Sequence, residues 1–390
     1  MCGDPLVAPR RALRGAGPDT SLRQRTVATA RNARVTCPCP AGSLFSYNRR
    51  CAREAFRARL RSVQRSPNPV AIMRIRFWGT RGSLPVALTA AVVRRKIVTA
   101  LRGAEGRVFA SDRELEEYVD GLGLAVSGTY GGHSPCVEIE TGGPDYVLCD
   151  LGSGVRPFGQ AATVRHGPAS PQTYHVFVSH VHWDHIMGLP FFTPAYLPGN
   201  RVVFYGGHPG LEAALRRQQD EPSFPVDFSH MRADIEFVHL MPGKPYDIAG
   251  MTVTVKLQRH AGDSYGYRFE ANGRSVVYST DSEHKFVHPP ETEGFVDFFR
   301  NADLVIFDAM YSFADAMSIK ADWGHSSNVV GLELCRLAGA RQLCLFHHEP
   351  ANDDETISRM LADTHRLEEI TRTGAPIVVS AAYDGMEIEL

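Results

Sequence analysis

Tyr174-His-Val-Phe-Val178 runs straight into Ser179-His180-Val181-His182-Trp183-Asp184-His185. The first five residues suit a buried strand, and the next seven leave it as a loop that opens a helix. Three imidazoles and one carboxylate fall within six residues, 180–185. His180 and His182, two apart at a strand end, can face the same way, while Asp184 and His185 turn toward a second ion. Nitrogen and carboxylate donors without thiolate suit Zn²⁺, with Mn²⁺ or Fe²⁺ as substitutes.

Outward from this loop, short strand-like runs recur at Ile72–Trp78, Cys136–Glu140, Tyr146–Cys149, Arg201–Tyr205, Met251–Leu257, Ser275–Tyr278, Leu304–Phe307, Gln342–Phe346 and Pro376–Val379. Met251, Val253, Val255 and Leu257 alternate with polar residues, as a half-buried strand does. Leu304-Val-Ile-Phe307 is continuously apolar and suits a central strand covered on both faces. Helical patterns lie at about 87–102, 111–122, 208–219, 327–338 and 353–372. Ser111-Asp-Arg-Glu114 reads as a capping box. The many strands with interspersed helices predict a layered α/β sandwich in one large domain over 73–390. The helical pair at 87–122 reads as an insert between strands, serving as a lid, a dimer contact or decoration.

The 390 residues are 43% hydrophobic and 22% charged, which excludes global disorder. The net charge of −1 conceals two unlike pieces. Residues 1–72 hold 14 Arg, no Lys and 3 acids, a net +11, so the remainder carries −12. This Arg-rich leader reads as a disordered basic tail, a transit-like segment, or a product of a start set too early, with Met73 as the true beginning. No apolar run approaches the ~20 residues of a membrane helix. Cys136, Cys149, Cys335 and Cys344 sit in apolar runs and read as buried reduced thiols, which fits the cytoplasm.

His-x-His-x-Asp-His after an apolar strand resembles the metallo-β-lactamase fold, a four-layer αββα sandwich, and the resemblance extends through most of 73–390. Arg76-Phe-Trp-Gly-Thr-Arg-Gly-Ser-Leu-Pro85 resembles the opening of its phosphodiesterase branch, and Gly131–Glu138 and Leu148–Gly154 its next two strands. The resemblance implies two metal sites. One is His180, His182, His260 and Asp281; the other is Asp184, His185, His347 and the shared Asp281. His347 is preferred over His348 by the Leu-x-His pattern. Asp150 matches a carboxylate that orients a ligand His. His325, in Trp323-Gly-His-Ser-Ser327, resembles the His of the tRNase Z motif, and Asp308 the acid that orients it. The bland alternative is that His325 caps the helix starting near Ser327.

These matches imply hydrolysis of a phosphodiester, with two divalent ions supplying hydroxide at neutral pH and Asp184 orienting it. His325, steadied by Asp308, protonates the leaving oxygen. Arg81, His133 and Arg156 are expected at phosphate or base, although relatives often carry Asn where His133 stands. tRNase Z enzymes of the short form carry a tRNA-gripping arm between the segment matching Tyr265–Phe269 and the bridging Asp. Here only Glu270-Ala-Asn-Gly-Arg274 intervenes. With the acidic body, this favours a small cyclic phosphodiester, such as a cyclic nucleotide, over long nucleic acid. The cysteine-rich structural zinc site of phosphoribosyl cyclic phosphodiesterases has no counterpart after Ser83. The competing readings are an RNA-processing endonuclease of tRNase Z type, a thioester or lactone hydrolase, and a metal-binding sensor. A homodimer is expected from the resemblance, and a membrane partner is not.

Overall fold

In the computed structural model, which describes residues 72–285, 289–312, 320 and 322–390, β1 (Arg74–Gly79) sends alternate side chains to opposite faces. Ile75 and Phe77 enter a core, while Arg74 and Arg76 point outward and pair with Glu387 and Glu389. The strands that follow are β2 (Cys136–Glu140), β3 (Tyr146–Cys149), β4 (Thr173–Phe177), β5 (Arg201–Gly206), β6 (Asp234–His239) and β7 (Pro245–Ile248). Then come β8 (Met251–Gln258), β9 (Ser264–Ala271), β10 (Arg274–Ser279), β11 (Leu304–Asp308), β12 (Gln342–Phe346), β13 (Val378–Ala381) and β14 (Glu387–Glu389). They form two seven-stranded mixed sheets, ordered β14-β1-β2-β3-β4-β5-β6 and β13-β12-β11-β10-β9-β8-β7.

One apolar cluster lies between the sheets and draws on both, with Phe77, Phe177, Val253, Tyr278 and Phe346 among its members. Two outer clusters cover the other faces. One sets α4 (Val155–His166) against the first sheet, and the other sets α7 (Pro289–Phe299), α8 (Asn328–Ala338) and α9 (Asp354–Thr371) against the second. This is the expected αββα layering. It also explains the continuous apolar strands: in β11, Leu304 and Ile306 face the inner core while Val305 and Phe307 face the helices.

β3 to β6 run parallel in the first sheet, and β10 to β13 in the second. β8 and β10 are both antiparallel to β9, so they share a direction. The carboxyl ends of β3, β4, β8, β10, β11 and β12 therefore present their following residues along one edge. Parallel strands demand helical crossovers, and the crossovers leave this edge free for loops.

Between β1 and β2 stand α1 (Ala90–Gly103), α2 (Asp112–Asp120) and α3 (Leu124–Ser127), while α5 (Trp183–Ile186) follows β4 and α6 (Leu211–Arg217) follows β5. Ser111 accepts from Glu114 N–H at 3.3 Å, and Glu114 reaches back to Ala110 N–H at 2.8 Å, one residue before the cap. Neither α1 nor α2 has a buried residue. Lys96 anchors α1 by donating to Asp354 at 2.7 Å. Four strands and three helices were not legible as such: β6, β7, β9, β14, α3, α4 and α7. Pro157 and Gly159 obscured α4, yet a proline in the first turn costs no intrahelical bond. Asn272-Gly273, both with positive φ (54° and 73°), makes the two-residue hairpin joining β9 to β10. Cys136, Cys149, Cys335 and Cys344 are buried free thiols. Among the described residues no helix is long and apolar enough to cross a membrane. The Arg-rich leader lies outside the described residues, apart from Ile72.

Candidate metal centre

Each strand ending on the shared edge delivers a polar side chain. His180 follows β4, His260 follows β8, Asp281 follows β10, Asp308 closes β11 and His347 follows β12. Asp150 after β3, Asp281 and His347 have φ of 62°, 50° and 61°. This left-handed conformation is costly for non-glycine residues and recurs where function holds it. Here it turns three side chains off strand ends toward one another.

Two groups of donors result. His180, His182, His260 and Asp281 offer ligand atoms within 4.8 Å of one another, and so do Asp184, His185 and His347. In the first, His180 Nε2 and His260 Nε2 each lie 3.6 Å from Asp281 Oδ2, and His182 Nδ1 is 3.1 Å from His260 Nε2. In the second, His185 Nε2 and His347 Nε2 are 3.2 Å apart. His185 Nε2 lies 3.1 Å from Asp184 Oδ2, and His347 Nε2 lies 3.2 Å from it. Both nitrogens are 3.2 Å from Asp281 Oδ1. Donors around one tetrahedral ion, bonded at about 2.0–2.1 Å, stand about 3.3 Å apart. The two oxygens of Asp281 thus face different groups, as a bridging carboxylate would.

The donor chemistry fits divalent metal. His180 Nε2 is fully buried and has no hydrogen-bond partner, an expensive state for a ring nitrogen unless it binds an ion. Burial pushes the His180, His182 and His260 imidazoles below their usual range, so their lone pairs stay available. Burial opposes ionisation of Asp184 and Asp281, yet the imidazoles around them hold both carboxyls well below the usual range.

The opposite ring nitrogens are tied down. His185 Nδ1 donates to Asp150 Oδ2 at 2.7 Å, and His260 Nδ1 donates to Gly324 O at 2.8 Å. Each bond fixes ring orientation and leaves Nε2 facing the centre. Asp150 is itself held by Ser179 N–H at 2.7 Å, Ser179 Oγ at 2.8 Å and the Tyr278 hydroxyl at 2.7 Å. Ser83 N–H donates to Asp184 Oδ2 at 2.8 Å. Glycine is required beside two rings: a Cβ on Gly82 would stand 2.5 Å from the His347 ring, and one on Gly324 2.4 Å from His260 Nδ1.

His325 stands beside both groups, its ring centroid 5.2 Å from that of His347 and 5.1 Å from that of His260. Its Nδ1 is 2.8 Å from Asp308 Oδ2. Burial works against its charge, but the Asp308 carboxylate lifts its pKa to about 9. Ser327, not His325, caps α8 by accepting from Val330 N–H at 3.4 Å. Asp281, His325 and His347 also form a third set of donors within ligand distance of one another.

The rim residues divide. His348 is buried away from the centre, with Nε2 donating to Ala382 O at 2.9 Å. His133 and Arg156 line a cavity of about 760 Å³ beside the metal loop. Arg81 requires a correction. It is 2% exposed, and its guanidinium donates to the carbonyls of Gly131 (2.9 Å) and Asn352 (2.8 Å), so it braces the loops and has no reach to a substrate phosphate. Tyr278 and Gly324, which position ligand rings, were not singled out in the sequence, since a core tyrosine and a loop glycine carry no local signature.

Residues 145–348 match the family described as the beta-lactamase superfamily domain. A ribonuclease Z from Geobacillus kaustophilus is 22% identical over 238 residues, covering 50% of this chain and 76% of that one. The metallo-beta-lactamase fold protein YhfI from Bacillus subtilis superposes with a TM-score of 0.55 at 16% identity, covering 82% of this chain and 100% of that one. A diphosphatase from the PhnP family superposes with a TM-score of 0.50 at 19% identity, covering 82% and 98%.

Proposed function

The chain belongs to the beta-lactamase superfamily, and we propose that within it the protein is a metal-dependent phosphodiesterase acting on a small cyclic phosphodiester, a cyclic nucleotide or related cyclic phosphate. The observation that carries this reading is the Asp308–His325 pair beside the two donor groups. A phosphodiester loses an alkoxide, a poor leaving group that needs a proton. Asp308 holds the His325 ring through Nδ1 and favours its protonated form, so Nε2–H on the opposite edge is the donor. A thioester or lactone hydrolase has less use for such a pair.

His180, His182, His260 and Asp281 would hold one ion, and Asp184, His185, His347 and Asp281 the other. Zn²⁺ suits the nitrogen-rich set, with Mn²⁺ as substitute. Such ions, when bound, acidify a water and offset charge on the phosphate oxygens. Asp150 keeps His185 oriented. Arg156 and His133, on the wall of the adjoining cavity, contact phosphate or base.

The small substrate is supported by the tight Asn272-Gly273 hairpin, which leaves no arm between β9 and β10, and by the acidic body. The second reading, an endonuclease of tRNase Z type, is favoured by the 22% identical ribonuclease Z. Cyclic mononucleotides and a precursor RNA, assayed with Zn²⁺ and Mn²⁺, separate the two. Hydrolysis of a cyclic nucleotide with the RNA untouched supports the first reading. RNA cleavage with cyclic substrates untouched overturns it in favour of the second.

A further inference from the structure

Two cavities border the turn that follows the metal-binding loop. The one of about 760 Å³ is walled by Pro85, Val86, Met187 and Phe191 with His133 and Arg156; the other, of about 500 Å³, includes Trp183, Phe224 and Arg217. Met187 and Phe191 line both. Phe191 ends a short 3₁₀ turn (Leu189–Phe191) just after the metal-binding loop. It is 53% exposed, although a ring of that size is ordinarily covered. Phe224 meets it edge-on, with centroids 5.7 Å apart and planes at 87°. Arg156 is exposed and makes no ion pair with a described residue.

We propose that Phe191 is a stacking platform for a nucleobase, so that the substrate of the metal centre carries a base, held in the larger cavity with its phosphate toward Arg156 and the metals. This rests on the phosphodiesterase reading and narrows it to nucleotides. A bare phosphate fills only a small part of about 760 Å³, whereas a nucleoside matches an apolar cleft with a few polar groups. Stacking on an aromatic ring suits any base, because every base has a π-face. Met187 beside it supplies a soft, polarisable neighbour. An aliphatic substituent would gain burial there but no face-to-face contact, so a sugar phosphate lacking a base would be bound poorly.

The test uses the full chain supplied with Zn²⁺ and reads both binding and turnover. Adenosine 5′-monophosphate and ribose 5-phosphate are titrated by calorimetry. Hydrolysis is followed on adenosine 2′,3′-cyclic phosphate and methyl riboside 2′,3′-cyclic phosphate, and on a short RNA and its abasic counterpart. We expect the base to improve binding about tenfold or more. In the pair that turns over, it lowers KM by a similar factor. Phe191→Ala removes this preference while leaving the base-free ligands unchanged, and Phe191→Trp restores it. Turnover without a base preference, or a preference that survives Phe191→Ala, overturns the stacking role alone. Base-dependent binding through Phe191 with no turnover of any diester overturns the phosphodiesterase reading alone. Absence of both overturns both.

Discussion

Asp150→Asn tests whether the metal centre depends on a carboxylate that touches no metal site itself. Asp150 is fully buried, and its two oxygens accept four hydrogen bonds. Oδ2 takes His185 Nδ1, Tyr278 Oη and Ser179 Oγ, and Oδ1 takes Ser179 N–H. An amide has one oxygen, so its NH₂ must face either Ser179 N–H or the three donors on the other side. At least one bond is lost, and the charge with it. A hydrogen bond to a charged group contributes about 1.5–3 kcal/mol net. If His185 bears the loss, that matches the about 10–100-fold fall in metal affinity seen when such outer partners are removed. At about 1.4 kcal/mol per tenfold, the two figures agree. The assay is competition against a chromophoric chelator, with Zn²⁺ per chain counted by mass spectrometry. We expect the ion held by Asp184, His185 and His347 to weaken about 10–100-fold while the other is retained more tightly. A melt of the metal-free variant reports the purely structural cost. Wild-type affinity at both ions in Asp150→Asn and also in Asp150→Ala, which removes the acceptor altogether, would refute the argument that Asp150 orients His185.

Three further outcomes follow from the geometry. His325→Ala should lower kcat about 10²–10⁴-fold with two ions still bound, as expected for loss of a general acid; unchanged turnover refutes that role, and loss of an ion reassigns His325 as a ligand. Gly82→Ala should weaken metal binding, because its Cβ would lie 2.5 Å from the His347 ring, whereas Gly123→Ala, with nothing within 4 Å, should not; equal affinities refute it. His284 is packed between Phe295 and Phe307, and burial lowers its pKa to about 3. Its folded form stays neutral while the unfolded chain protonates near 6.5, so stability present above that pH falls as pH drops toward 3. Metal-free His284→Phe should match wild type at pH 7.5 and exceed it by about 2 kcal/mol at pH 5 in denaturant unfolding; parallel pH profiles refute it.

Much of the fold was legible because its strands carry their own pattern. Met251, Val253 and Val255 alternate as read and fill the core between the sheets, whereas Leu257, read into the same series, is exposed near the strand's end; Leu304–Phe307 is apolar throughout because each face meets a different core. Not every missed element lacked such a pattern: Tyr265, Tyr267 and Phe269 alternate in β9, and Ile235 and Phe237 in β6. β6 and β14 are edge strands in which no residue is buried, and α4 hides its first turn behind Pro157. The short connection Glu270–Arg274 is a tight hairpin because Asn272 and Gly273 both take positive φ.

Sequence alone determined the local half of the centre. His180, His182, Asp184 and His185 lie within six consecutive residues, so one loop after one strand brings them together whatever the rest of the chain does. His260, Asp281, Asp308, His325 and His347 came only by resemblance, since separations of tens of residues carry no geometry. Tertiary structure placed them, because strands sharing a direction end on one edge and left-handed residues at three of those ends turn the side chains inward. It also decided between residues of the same type. His347 faces the centre while His348 bonds a backbone carbonyl, and Arg156 lines a cavity while Arg81 spends its guanidinium inside the fold. A side chain's chemistry is written in its type, but which partner consumes its hydrogen bonds is set by what folds against it.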